Sequence, residues 1–91
     1  MAKKLTFKSF VASRQSFEPG SDGFCAELVD MYYGDETKFL RIYKYPVNDM
    51  EAYIIIEKAD RFVYAWPHPC DQHMPTLAQA ERAIWDEFLS N

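Results

Sequence analysis

The sequence predicts an α+β fold: an antiparallel sheet of four to five strands in meander order, with one C-terminal helix packed on one face. Three observations predict it. Met50–Trp66 (MEAYIIIEKADRFVYAW) holds two runs rich in β-branched and aromatic residues, Ala52–Ile56 and Phe62–Trp66, around the polar turn Glu57–Asp60. Upstream, Phe24–Tyr33 and Glu36–Tyr45 flank Gly34 and Asp35, a pair suited to a two-residue turn because glycine supplies positive φ. Downstream, Leu77, Ala80, Ile84 and Phe88 recur at helical spacing.

The elements follow in order. Lys4–Ala12 starts with apolar-polar alternation at Leu5 and Phe7, then places Phe10 beside Val11; it reads as a first strand with a bulge near Ser9. Ser13–Gly23 reads as a connector, with a turn-forming Pro19-Gly20 pair and a closing Gly23. Residues 46–49 turn the chain into the central hairpin, and Pro67 and Pro69 end the last strand because neither can donate to a ladder. The helix covers Pro75–Leu89, with Thr76 as N-cap and Gln79 three residues on, in the spacing of a capping box.

At 91 residues the chain forms a single domain with one modest core. Its 48% hydrophobic and 26% charged residues place it with folded rather than disordered chains. The 16% aromatic content exceeds what so small a core easily hides, which points some of it toward a partner. Net charge is −4, and Lys3, Lys4, Lys8 and Arg14 stand in the first fourteen residues without an acid, so the rest is more acidic still. An acidic body opposes general nucleic-acid binding, which needs a Lys/Arg footprint, and suits a basic protein partner. The basic start is followed by no apolar run, and no stretch approaches the roughly 20 apolar residues of a membrane span. The default compartment is the cytoplasm, with Cys25 and Cys70 reduced.

If the turns set the registers, Tyr32 faces Thr37, Phe39 faces Ile56, and Ile54 faces Val63. One face then collects Phe24, Ala26, Leu28, Phe39, Tyr43, Ala52, Ile54, Ile56, Val63 and Ala65, where three small alanines leave room for the helix. The other collects Val29, Met31, Tyr33, Leu40, Ile42, Tyr53, Ile55, Phe62, Tyr64 and Trp66, rimmed by charges. One helix cannot cover both, so the second face is closed by loops, by a second copy in a homodimer, or by a partner. In the partner reading Tyr33, Tyr53, Tyr64 and Trp66 are the aromatic anchors. Glu27, Glu51 and Glu57, with the turn acids Asp35 and Glu36, steer the contact toward a basic surface.

Signals for chemistry are thin. His68, Cys70, Asp71 and His73 lie within one proline-rigid loop, and Cys25 could complete a zinc tetrahedron, but the paired ligand spacing of zinc sites is missing. A Cys70 nucleophile beside His68 or His73 rests on proximity in sequence alone. The three glycines all belong to turns, so no phosphate-binding loop is present. No catalytic residue, metal ligand or cofactor is assigned, and an enzyme is not expected. Small, acidic, aromatic-rich single domains of this kind resemble, in style and without a shared motif, inhibitors encoded by phages and other mobile elements, such as anti-CRISPR proteins. That likeness implies a non-enzymatic protein that occludes a host defence protein. The alternatives are a self-associating structural or accessory protein and, less favoured, a sheet that stacks single-stranded nucleic acid.

Overall fold

The computed structural model describes residues 5–24, 39–48, 51–66 and 74–89. Four antiparallel strands lie side by side in chain order: β1 (Gln15–Phe17), β2 (Phe39–Pro46), β3 (Ala52–Lys58) and β4 (Phe62–Trp66). Helix α1 (Phe7–Ala12) precedes them, and α2 (Leu77–Ile84) follows, continuing into a π-helical turn over Trp85–Leu89. The α+β class, the meander and the C-terminal helix packed on the sheet are as the sequence predicts.

The N-terminal segment is not. Lys4–Ala12 was expected as a strand, yet Phe7–Ala12 is helical. Phe7, Phe10 and Val11 stand at i, i+3 and i+4, so one helical face carries all three. Thr6 caps this helix: its Oγ1 accepts from the Ser9 N–H at 3.1 Å, and the Ser9 hydroxyl oxygen accepts from the Thr6 N–H at 3.0 Å. The first strand lies instead inside the expected connector, with Gln15 opposite Lys44 and Phe17 opposite Ile42.

Beyond β1 the predicted turn forms. The Ser21 N–H donates to the Glu18 carbonyl at 3.0 Å, with Gly20 at φ +87°, a left-handed conformation that glycine adopts without strain. The Phe24 N–H then donates to the Ser21 carbonyl, and Gly23 lies against the Phe17 ring. Past Phe24, the rest of the expected strand Phe24–Tyr33, the Gly34-Asp35 turn and the Tyr32–Thr37 pair fall outside the described residues.

The β2–β3 and β3–β4 hairpins form as expected, but in different register. Phe39 is opposite Lys58 rather than Ile56, and Ile56 is opposite both Ile42 and Val63. Each pairing is displaced by two residues from the expected one, and irregularities between Phe39 and Arg41, and between Ile54 and Ile55, add one more. The first reverses the alternation of β2. Ile42 thereby joins Phe39, Ile54, Ile56 and Val63 in one buried cluster, while Tyr43 and Tyr45 turn to the side of Tyr53, Ile55 and Tyr64.

The helices cover the tyrosine side, which corrects the expected face assignment. Phe10 of α1, and Ala80 and Ile84 of α2, pack with Tyr45, Tyr53, Ile55, Tyr64 and Met74. Phenol tips on a packed face need acceptors, and the helical segment supplies them as Glu81 and Glu87. The opposite face is also closed: Ile42 and Ile56 expose nothing, with Phe17 and Phe24 packed against their cluster. Among the described residues Leu40, at the β2 irregularity, is the one large apolar side chain that stands exposed, at 52%.

A Cβ at Gly23 would lie 1.9 Å from Phe17 Cε1, so the ring must move or the turn must open. Gly23→Ala is expected to cost about 1–3 kcal/mol of unfolding free energy. Urea denaturation checks this; an unchanged midpoint would show that the ring yields freely.

Candidate functional site

Side chains of β2 and β3 on the helix-covered face line up as a strip of hydroxyls, carboxylates and guanidiniums that runs from under the helices to the solvent edge. Alternation from Arg41 brings Arg41, Tyr43 and Tyr45 to one side of β2, across from Glu57, Ile55 and Tyr53 of β3. Ser16 of β1 lies opposite Tyr43. Helix α2 adds Glu81, and the joint between α1 and β1 adds Arg14.

The deepest charged member is Glu81, with 4% of its side chain exposed. One oxygen, Oε2, accepts from the Tyr45 hydroxyl at 2.6 Å and from Arg14 Nη1 at 3.0 Å. Arg14 is 40% exposed, so the triad runs from the core to solvent. A carboxylate so buried needs both a cation and a hydrogen bond to stay charged. Burial first, and then the bond to Glu81, push the Tyr45 phenol far above its ordinary range.

Neighbouring groups repeat the pattern. The Tyr43 hydroxyl donates to Glu57 Oε1 at 2.6 Å, and burial followed by that bond raises its pKa to about 12. Arg41 reaches Glu18 Oε1 at 3.3 Å and the Ser16 hydroxyl at 3.4 Å. At the other end of the helical face, the Tyr64 hydroxyl donates to Glu87 on the π-helical turn. Burial, then the Glu51 charge, also raises Tyr53.

These are closed pairs. Tyr43, Tyr45 and Tyr64 each donate to a carboxylate, and Glu18, Glu57, Glu81 and Glu87 each accept from a tyrosine or an arginine. Such a strip braces helix against sheet and offers hydrogen bonds at its solvent edge. A phenol held protonated does not serve as a base at neutral pH. Among the described residues no group of three or more His, Cys, Asp or Glu is placed to hold a metal ion, and no helix is long and apolar enough to cross a membrane.

The residues predicted to meet a partner are scattered. Tyr53 and Tyr64 retain 7% and 6% exposure beneath the helices, where they pack edge-on or tilted against Phe88 at 5.8 and 5.9 Å. They are core residues in this fold, on the face that the helices cover. Glu57 is half-buried and taken by Tyr43, whereas Glu51 stands exposed on the β2–β3 turn. Trp66 closes β4 with its backbone opposite Ile54; its side chain lies outside the described part. Tyr33, Glu27, Asp35 and Glu36 also lie outside the described residues, as do Cys25 and the His68–His73 loop.

Sequence reasoning missed the Arg14–Glu81–Tyr45 triad. One signal was present: Glu81 sits between Leu77 and Ile84 in the apolar stripe of the helix, at i+4 and i−3. A carboxylate in that stripe calls for a buried partner. Compared with protein-family models, curated proteins and solved structures, the chain matches none of them.

Two outcomes are expected. Tyr53→Ala and Tyr64→Ala should each cost about 3–5 kcal/mol in urea denaturation, as truncated core aromatics do; near-zero losses would return both rings to the surface. Tyr43 titrates at 10.0 when unfolded and at about 12 when folded. Its raised folded value means that its contribution to stability is complete below pH 10 and is lost as pH rises through about 12. Phenolate absorbance of Tyr43→Phe should lack one step near 12, whereas loss of a step near 10 would contradict the assignment.

Proposed function

We propose that this chain is a small, non-enzymatic protein-binding domain that works by covering a partner's surface. Inhibition of a host defence protein by a phage or other mobile element is the setting that its size and composition suit, by analogy. The observation that carries the reading is Glu51. Its backbone is tied on both sides: its N–H donates to Asn48 Oδ1 at 2.8 Å, and its carbonyl accepts from the N–H groups of Val47 and Asn48 at 3.2 and 3.4 Å. An exposed carboxylate on a pinned turn loses little freedom on association and adds directional attraction to a basic surface.

The charge of the sequence supports the same reading. Outside the described residues the acids Glu27, Asp30, Asp35, Glu36, Asp49 and Asp71 outnumber Lys3, Lys4 and Lys38. With Tyr53 and Tyr64 in the core, the aromatic share of a contact passes to rings that the helical layer leaves half-buried, namely Phe7, Trp85 and Phe88.

Light scattering across a concentration series comes first, followed by affinity capture with wild type and Glu51→Arg. The expected result is a monomer that retains a protein partner, with retention falling about tenfold on charge reversal and as salt rises from about 50 to 300 mM. A dimer at every concentration would favour self-association instead. Salt-sensitive retention of oligonucleotides in place of protein would favour the nucleic-acid reading.

A further inference from the structure

We propose that α1 is a hinged strap that opens independently of the sheet, pivots at Ser13 and Arg14, and uncovers an aromatic groove formed by Tyr45, Tyr53, Ile84 and Trp85. At six residues α1 is shorter than the roughly 12–15 that an isolated helix needs, so docking supplies its order. Its backbone hydrogen bonds are local: Phe10 N–H to the Thr6 carbonyl, Ser13 N–H to those of Ser9 and Phe10, and Arg14 N–H to that of Val11.

Side chains of little more than one turn hold it down. Phe10, with no exposed surface, stacks on Tyr45 at 4.7 Å, meets Tyr53 edge-on at 6.3 Å and lies 6.2 Å from Trp85. Phe7 meets Trp85 edge-on at 5.8 Å, and the Arg82 guanidinium sits 4.9 Å from its ring. Past the pivot the attachment changes in kind. Gln15 is paired with Lys44 in the ladder, while Arg14, at the pivot itself, is bound to Glu81. A side-chain-held segment that meets a ladder-held one is a natural boundary for sub-global opening. In the closed state the groove is occupied by Phe10 itself. The strap is a property of the fold and stands whether or not the charge-steered partner reading does.

Amide hydrogen exchange on the full chain, read by NMR, tests it. In wild type the Phe10 and Ser13 amides should be protected, yet exchange roughly 100-fold faster than that of Ile55, with little dependence on low urea while Ile55 depends steeply. Ile56→Val, a mild change in the cluster on the far face, should speed Ile55 by about 2–10-fold and leave Phe10 and Ser13 unchanged. Equal acceleration and equal urea dependence in α1 and β3 would overturn the proposal, because α1 would then open only with the whole domain. Lack of protection at Phe10 would overturn it too, since a strap must be closed most of the time.

Discussion

The rest of the structure depends on β3 having no solvent face. Tyr53, Ile54, Ile55 and Ile56 are consecutive and all buried, so neighbouring residues belong to different clusters on opposite sides of the sheet. Burying a large apolar side chain yields about 1.5–3 kcal/mol, and a strand that does so on both sides is the strongest local contributor to so small a domain. The cost is geometric, because each face needs its own cover. On one side the cover is α1, α2 and the π-helical turn; on the other, Phe17 and Phe24 contribute, with Gly23 allowing the chain to pass close to the Phe17 ring.

Tyrosines create a second constraint. A phenyl ring suits the core, but its hydroxyl must reach an acceptor, and Tyr45 and Tyr64 end against carboxylates carried by the helical segment. Helix and sheet are therefore matched by hydrogen-bond position as well as by shape. Glu81 makes this match selective: a shifted helix would leave a charge buried without Tyr45 and Arg14, a cost of several kcal/mol. Phenols beside carboxylates thus tie the sheet to the helical segment that covers it.

Much of the fold was legible because its signals are local. The β3–β4 hairpin, the Pro19-Gly20 turn and the Thr76 cap each depend on a few adjacent residues; Thr76 Oγ1 does accept from the Gln79 N–H at 3.2 Å. Misreadings occurred where local signals were ambiguous or lacking. Leu5 and Phe7 alternate like a strand, while Phe7, Phe10 and Val11 repeat like a helix, and the second pattern prevailed because Phe10 finds a pocket between Tyr45 and Tyr53. Strand β1 has three residues, two of them exposed, and no hydrophobic period to betray it. Of the candidate site, Glu51 was recognisable as a rim acid and is exposed; Tyr53 and Tyr64 were misplaced because their face was taken as the one the helix leaves uncovered.

By itself the sequence determined the α+β class, the strand runs of the β2–β3–β4 meander, the Pro19-Gly20 turn and the C-terminal helix start, since backbone sterics and capping act over three to five residues. Which side of the sheet the helix covers was decided only in the tertiary structure. Strand period is two, so the irregularity between Phe39 and Arg41 exchanges the faces of every later residue in β2. The helix then settles where Glu81 meets Tyr45 and Arg14, an agreement between positions 14, 45 and 81 that no short stretch of chain contains.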